Sequence, residues 1–280
     1  LESTIIFQTA EGSDLSLFQS SIVRLLHTQI SVLHSHNFNR KIIFTCSNLH
    51  FIVTNSTFTD VQIEIISTNF LISLSNSIFT FSIPQSQIIS VTLADTVNKI
   101  SSNVYRKVLI NRVKVTSLNI LKGSFLMLQT ANILIRMTYC DFNNVPSTLK
   151  IINKPSKSSG SGYTGIKLTL FIDSSQFLKS ISKETNSSIE IRFPFNLNIF
   201  QNADIFIQNC TFDSNFAMRG SAILLTAKIY RSFAEKIISL KILRSVFKNS
   251  ICVHEGCSIY LSEYVKTSIK DSQFLYSLNM

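Results

Sequence analysis

The stretch IFIQNCTF at residues 205–212 is one copy of a phrase that recurs along this chain. In every strong copy a phenylalanine closes the phrase, and apolar residues stand seven and five positions before it. Because residues two apart lie on one face of a strand, each copy predicts a short strand followed by a turn that places an aromatic ring. The other strong copies are FIVTNSTF (51–58), ISLSNSIF (72–79), IRMTYCDF (135–142), LFIDSSQF (170–177) and LKILRSVF (240–247).

Weaker copies end at Ile22, Val115 and Phe274, so that the anchor residues are spaced by 36, 21, 36, 27, 35, 35, 35 and 27 positions. Repetition at such periods is typical of solenoids, in which each unit packs only on its neighbours around one continuous core. After most anchors a second strand with alternating apolar residues is predicted, for example at 88–93 and 189–193. Each repeat is therefore strand, turn, strand and variable return.

The composition favours strands over helices. The chain of 280 residues is 45% hydrophobic and contains 22 Phe but no Trp, with abundant Ile, Ser, Thr and Asn. Antiparallel hairpins would carry Asn-Gly or Asp-Gly turns, and neither pair occurs. We therefore predict an all-β fold, a single-stranded parallel β-helix of about nine irregular coils over residues 1–280. Its anchors would form one line of rings: Phe58, Phe79, Phe142, Phe177, Phe212, Phe247 and Phe274.

Asparagine recurs three residues before the anchor, at Asn55, Asn76 and Asn209. Two structural roles fit this position: a ladder of stacked amides, or a corner residue that accepts the bend. Asn55-Ser-Thr, Asn209-Cys-Thr and Asn186-Ser-Ser are also glycosylation sequons. A ladder asparagine would leave no room for a glycan, so only Asn186, in a predicted loop, is expected to be modified, and this requires a secretory route.

The sharpest motif of the chain is FDSNFAMRGSAI at residues 212–223. It resembles the paired FxxN and GGAI repeats of chlamydial polymorphic outer-membrane proteins, which also occur in large pectin-lyase-like surface proteins of ciliates. Phe212 and Asn215 match the first motif; Gly220 matches the second, with Ser221 in place of its second glycine. The resemblance implies a right-handed β-helix displayed at a cell surface. The bias towards Asn, Lys, Ile and Phe is typical of an AT-rich genome, as in ciliates.

The five cysteines form no regular metal-ligand pattern. They are expected to be small buried residues, with a local disulfide between Cys252 and Cys257 as the alternative. Cys140 and Cys210 stand at the same repeat position, two coils apart. Stacked strands lie about 4.8 Å apart, so these thiols should be roughly 9–10 Å apart, beyond the reach of a disulfide.

Catalytic carboxylates are not visible among the 16 acidic residues. Glycoside hydrolysis needs two facing carboxylates, but the predicted columns place Thr138 and Gln208 beside Asp173. The loop residues Glu184 and Glu190 remain as candidates. His34 and His36, near His27, would share one strand face and hold a metal with a third ligand, or lie exposed near a return loop. We predict no catalytic, cofactor or metal site.

Charge and hydropathy limit the partners. The net charge of +10 permits contact with acidic glycans, but Lys and Arg are scattered, which argues against nucleic acid. No apolar run of 18 residues is present, so no membrane span is predicted in this segment. Residues 153–165, rich in Ser, Gly and Lys, predict a flexible loop insertion. Neither end shows a polar cap, so the chain is expected to be part of a longer protein.

The leading functional hypothesis is a non-catalytic extracellular or cell-surface solenoid, part of a filament-forming protein that stacks end to end with itself or sister segments. Open strand edges can template further strands. One alternative is a β-helix that binds or cleaves acidic polysaccharide, aided by a stacking residue such as Tyr230 or Tyr260. Another is an adhesin that binds a protein through the 153–165 loop.

Overall fold

The computed structural model of the chain describes residues 3–7, 14–16, 20–26, 28–32, 41–81, 87–92, 106–118, 124–130, 132–152, 166–181, 187–193, 201–227, 237–254, 256–262 and 265–280. Within these ranges every regular element is a β-strand. The first fifteen are β1 (Ser3–Phe7), β2 (Asp14–Ser16), β3 (Ser20–Leu26), β4 (Thr28–Val32), β5 (Lys41–Thr54), β6 (Thr57–Thr59), β7 (Gln62–Ser75), β8 (Ile78–Phe81), β9 (Gln87–Thr92), β10 (Arg106–Asn111), β11 (Lys114–Ser117), β12 (Ser124–Gln129), β13 (Ile133–Thr138), β14 (Asp141–Asn143) and β15 (Ser147–Ile152). The others are β16 (Ile166–Asp173), β17 (Gln176–Leu178), β18 (Ile189–Phe193), β19 (Gln201–Gln208), β20 (Thr211–Asp213), β21 (Phe216–Ala217), β22 (Ile223–Ala227), β23 (Ile237–Leu243), β24 (Val246–Lys248), β25 (Ile251–Cys252), β26 (Ile259–Leu261), β27 (Val265–Lys270), β28 (Gln273–Leu275) and β29 (Leu278–Asn279).

All strand pairs are parallel, and the strands stack in sequence order around one axis, so the fold is a parallel β-helix. Short strands that carry the anchors form a ten-stranded sheet, here the anchor sheet, in the order β1-β4-β6-β8-β11-β14-β17-β20-β24-β28. Its register pairs Phe142 with Phe177, Phe177 with Phe212 and Phe212 with Phe247. The predicted fold class and the predicted in-register stacking are therefore confirmed.

The strands before and after each anchor belong to one 16-stranded sheet with two wings. The approach wing contains β3, residues 48–54 of β5, residues 70–75 of β7, and β10, β13, β16, β19, β23 and β27. The return wing contains β2, the first halves of β5 and β7, and β9, β12, β15, β18, β22 and β26. The wings join because β5 and β7 are continuous strands of 14 residues. Each runs from the return wing into the approach wing with no loop between them. A small third sheet, β21-β25-β29, lies at the corner between the anchor sheet and the return wing.

The predicted apolar columns fill the interior. Seven positions before the anchor, Ile72, Val108 and Ile135 pair in register, and the column five before the anchor is buried in the same way. Phenylalanine rings stack along the axis with centroids 4.6–5.3 Å apart in the pairs Phe58–Phe79, Phe142–Phe177, Phe177–Phe212, Phe212–Phe247 and Phe247–Phe274. Stacked rings in a dry core combine burial with favourable π contacts.

The line of rings continues past Val115, an internal anchor position without an aromatic side chain. Val115 pairs with Phe79 on one side and Phe142 on the other. Phe125, from β12 of the return wing, lies 5.4 Å from the ring of Phe79 and 5.6 Å from that of Phe142. A ring from a different strand therefore fills the space that valine leaves.

Two details differ from the sequence expectation. The anchor lies on a strand of its own, so each full coil has three strands rather than two; the three-residue anchor strands are too short to show alternation. Ile22 is also not an anchor, since it pairs with His50 in the approach wing, while Ile30 pairs with Phe58. Leu15 and Leu17 stand seven and five positions before Ile22 and so match the repeat phrase by chance. The residues in register with the apolar pair Phe51 and Val53 are Val23 and Leu25. The predicted insertion at 153–165 lies outside the described residues.

Candidate functional site

In the coils anchored from Phe58 to Phe274, the first corner, between the approach wing and the anchor sheet, has a left-handed residue three positions before the anchor. In all eight such residues φ lies between 47° and 55°. Single residues adopt this region at a steric cost, which is lowest for Gly, Asn and Asp. The eight residues are Asn55, Asn76, Arg112, Tyr139, Ser174, Asn209, Arg244 and Asp271.

The asparagines of this column are corner residues and do not form an internal amide ladder. Asn55, Asn76 and Asn209 are all exposed, because the left-handed bend turns their side chains outward. Asn209 Nδ2 donates to Asp173 Oδ1 of the preceding coil at 2.9 Å. The premise that a ladder turns Asn55 and Asn209 inward is therefore wrong. Asn186 lies outside the described residues.

An internal polar ladder does run through this corner, but serine and cysteine form it. The residue two before the anchor turns inward, and its side chain donates to the carbonyl two residues earlier, as Ser175 Oγ does to Asp173 O at 2.9 Å. Ser175 Oγ in turn accepts the N–H of Cys140 in the preceding coil at 3.1 Å. The members are Ser56, Ser77, Cys140, Ser175, Cys210, Ser245 and Ser272. The buried Val113 interrupts the ladder between Ser77 and Cys140. Their recurrence two before the anchor is the sequence signal that would have predicted the ladder.

Cys140 and Cys210 belong to this ladder with Ser175 between them, and both are free and buried. Burial raises the pKa of the Cys140 thiol to about 11 and that of Cys210 to about 12. Because the thiolate is the reactive form, these cysteines are inert at neutral pH. Cys252 and Cys257 are joined by a disulfide, with Cα atoms 4.8 Å apart. It lies in the coil anchored by Phe247, between the anchor strand β24 and the return strand β26.

The FxxN and GGAI positions occupy the second corner, which lies between the anchor sheet and the return wing. Asn215 is fully buried, and its Oδ1 accepts the N–H of Ser180 in the preceding coil at 2.9 Å. Gly220 has φ +53°, and a Cβ there would lie 2.4 Å from the carbonyl oxygen of Ile223. Only glycine fits this close approach between the corner and the return wing.

Of the two acidic candidates, the structure describes Glu190 alone. Glu190 lies on β18, not in a loop, and is 0% exposed. Lys150 Nζ lies 3.3 Å from its Oε2, and Arg192 also pairs with the carboxylate. A buried carboxylate held by two cations is a structural ion pair, so the loop assignment of Glu190 is wrong. Glu184 and the side chains of His27, His34 and His36 lie outside the described residues.

The aspartates have the column neighbours that the anchor spacing predicted. Thr138 and Gln208 pair with Asp173, and Leu178 and Lys248 pair with Asp213. Burial alone would raise the pKa of Asp213, but hydrogen bonds from Asn249, Ser214 and Lys248 outweigh it and lower that pKa below its usual range. Within the described part of the chain, no three His, Cys, Asp or Glu side chains lie close enough to hold a metal ion.

Two stacked rings lie on the solvent side of the approach wing. Arg136, Phe171, Phe206 and Lys241 follow one another in register over four coils. The rings of Phe171 and Phe206 stack at 5.4 Å, and the Arg136 guanidinium lies 5.3 Å from the Phe171 centroid. Stacked in this way, the rings turn their edges rather than their faces to solvent. Tyr260 of the return wing lies under Arg219; Tyr230 is outside the described residues.

Comparison with protein-family models, curated proteins and solved structures gave no significant match to this chain. None of the described residues forms a helix of the length and hydropathy that a membrane span requires. The functional argument therefore depends on the geometry of the solenoid itself.

Proposed function

We propose that this chain is a non-catalytic structural solenoid, a segment of an extracellular surface or filament-forming protein that stacks end to end and presents its loops. The observation that carries the proposal is the in-register stack itself, in which every coil presents the same backbone groups and ring to its neighbour, as Phe247 does to Phe212 and Phe274 at 4.8 Å. Phe274 is 44% exposed, whereas Phe247, on which it stacks at 4.8 Å, is 0% exposed.

The corner hydrogen bonds all run in one direction, which defines the groups that a coil stacked on the last one must provide. Each left-handed corner residue donates its N–H to a carbonyl of the following coil, as Asn209 does to Leu243 and Arg244 to Lys270, both at 3.0 Å. The N–H of Ser245 likewise donates to Ser272 Oγ at 3.1 Å. Among the described residues, the N–H groups of Asp271 and Ser272 have no such acceptor.

A further parallel coil would satisfy these groups and cover Phe274. Because each coil offers the preceding one the same carbonyls, hydroxyl and ring, the complementary partner is another coil of this type. Contacts between unlike ends of identical units generate open filaments when the rotation from one unit to the next does not close a ring, as when rods stack along their own axis. Stacking of this kind extends the corner hydrogen bonds and the column of rings that already join the coils of the chain.

Two features support an extracellular setting and the proposed relation to FxxN/GGAI repeat proteins of the pectin-lyase-like kind. The Cys252–Cys257 disulfide is typical of oxidising compartments. Gly220 fills a position where the close carbonyl of Ile223 admits only glycine, and the buried Asn215 accepts the N–H of Ser180, which gives the resemblance a physical basis.

The test is assembly of the purified chain. Phe274→Asp places a charge on the exposed end of the ring stack, and Leu118→Ser removes a similarly exposed apolar side chain, 66% exposed, on the flank of the rod. Sedimentation velocity and electron microscopy should show concentration-dependent linear species for the wild type and for Leu118→Ser, and shorter species for Phe274→Asp. Assembly that is unaffected by Phe274→Asp, or a wild type that stays monomeric at all concentrations, would contradict the proposal.

A second candidate, binding of acidic polysaccharide, is favoured by the cationic end of the approach wing. Lys241, Lys266 and Lys270 are exposed on its last two coils and form no ion pair within the described residues. Affinity electrophoresis in polygalacturonate should retard the wild type and not the triple Lys→Ser variant. Equal mobility of the two would exclude this candidate, and appearance of unsaturated or reducing ends would instead indicate cleavage.

A further inference from the structure

Two of the three glycosylation sequons occupy the same place in the fold, the first corner. In each, the asparagine is the left-handed corner residue, the middle residue turns inward, and the threonine begins an anchor strand. Asn55 and Asn209 are exposed, with φ of 50° and 51°. Ser56 and Cys210 are buried between them and the threonines. The fold thus directs the modifiable amide outward and places only the variable middle residue in the core.

The contacts of the Asn209 amide leave space for a sugar. Asn209 Nδ2 uses one of its two N–H groups to donate to Asp173 Oδ1, so the other N–H is available. The residues stacked on Asn209 in the neighbouring coils are Ser174 and Arg244, which also point outward at the corner. A substituent on Nδ2 would therefore extend away from the rod without displacing core side chains.

We propose that Asn55 and Asn209 carry N-linked glycans when the chain passes through a secretory pathway; this inference rests on the proposed extracellular function. In the transfer, Nδ2 attacks the anomeric carbon of a polyprenyl-diphosphate-linked oligosaccharide. A C–N bond forms, the bond from that carbon to the diphosphate oxygen breaks, and the amide proton leaves with the departing diphosphate. No oxidant or reductant is required.

The two sites have a consequence for the shape of the molecule. Asn55 and Asn209 precede Phe58 and Phe212, which are five coils apart, so the glycans would be separated by roughly 24 Å at about 4.8 Å per coil. Both would project from one edge of the rod. The end of the solenoid and the flat side of the approach wing would stay uncovered, so glycosylation and end-to-end stacking are compatible.

The chain offers a matched control for the test. Asn76 occupies the same corner position and is also exposed, but Asn76-Ser-Ile is not a sequon. Ile78 pairs in register with Thr57, so Ile78→Thr creates a third first-corner sequon, with the geometry of that at Asn55. Thr57→Val and Thr211→Val remove the natural sequons and keep the asparagines and the β-branched strand residues.

The experiment is expression through the secretory pathway of cultured eukaryotic cells, followed by release of the glycans with PNGase F in heavy-oxygen water and peptide mass spectrometry. Soluble, folded protein should show labelled aspartate at positions 55 and 209, loss of each label in the matching Thr→Val variant, and a new label at position 76 in Ile78→Thr. Separate peptides distinguish these positions from Asn186.

Unmodified Asn55 and Asn209 in secreted protein, whether or not position 76 is labelled in Ile78→Thr, would overturn the inference. Glycans found only on aggregated chains would do the same, because they would not fit the folded corner. A glycosylated chain that never assembles would contradict the stacking proposal while supporting these sites, so the two failures can be told apart.

Discussion

The first corner is built from residues that a propensity scale would not group together. Asparagine and aspartate suit a left-handed backbone, but Arg112, Tyr139 and Arg244 have the same conformation. They are tolerated because the side chain points into solvent, so the neighbouring coils fix the backbone and the side chain is unconstrained. From sequence, only the asparagines identified the position as a corner.

Substitution at this corner should distinguish backbone cost from side-chain contacts. At Asn76, with φ 47°, valine should lower the free energy of unfolding by about 1–2 kcal/mol, the cost of a left-handed residue with a Cβ branch. Asn76→Gly should be close to the wild type. Urea denaturation of both variants measures the difference; equal stability of the two would show that the corner does not constrain the backbone.

Removing a member of the serine ladder should leave a buried N–H without its acceptor. Ser175→Ala takes away the oxygen that accepts from Cys140 N–H, and we expect a loss of about 1–3 kcal/mol in the free energy of unfolding. Ser175→Cys should lose less under reducing conditions, because cysteine already serves at the equivalent positions Cys140 and Cys210. If alanine and cysteine proved equally destabilising, the ladder would not be the cause.

Acid should destabilise the second corner through Asp213. Its pKa is lowered in the folded state, so its contribution is fully present above the unfolded value of about 3.9 and is lost as the pH falls through the folded value. Asn249→Gly keeps the left-handed corner and removes the amide that donates to Asp213 Oδ1. The free energy of unfolding should therefore fall less steeply below about pH 4 in Asn249→Gly than in the wild type. Parallel pH profiles would contradict this assignment.

At the scale of elements, the return wing repairs a gap in the anchor sheet. Val115 is shorter than the other anchors of the inner coils, and Phe125 supplies a ring between Phe79 and Phe142. The sequence phrase could place Val115 in the column, because the register follows from local spacing. It could not place Phe125, because contact between two wings depends on the shape of the coil rather than on a repeat.

A double-mutant cycle should detect this exchange of rings. Phe125→Ala alone should cost about 3–5 kcal/mol, as for other buried Phe→Ala changes. Val115→Phe alone should overpack the core and cost about 1–3 kcal/mol. Together they should restore the ring at the column, so that the double variant is more stable than Phe125→Ala. Additive free energies of unfolding would show that the two side chains do not share one space.

The ion pairs between strands could not be predicted from the sequence. The sequence places Glu190 in a loop, yet it lies on β18 and is paired with Lys150 of the neighbouring strand β15. Lys150 and Glu190 are 40 positions apart in the sequence, and variable returns separate them. Such pairs become visible only when the coils are aligned in space.

At the scale of the whole molecule, the repeat phrase was sufficient to predict a parallel solenoid because apolar spacing and anchor recurrence are both local signals. The phrase failed at residues 15–22, where a similar apolar pattern belongs to another part of the coil and Ile30 is the residue in register with Phe58. Function is less accessible, because open ends and corner chemistry are properties of the stack and not of any one repeat.

The in-register stacking of coils is the claim on which the account depends, and spin-label distances test it most directly. Ile78, Lys114 and Gln273 share one outward column of the anchor sheet. With the free cysteines replaced by serine, labels at positions 114 and 273 should be roughly 24 Å apart, and labels at 78 and 273 roughly 29 Å apart, one coil spacing more. Distances that do not increase by a coil spacing, or a broad distribution without a defined maximum, would contradict the parallel β-helix.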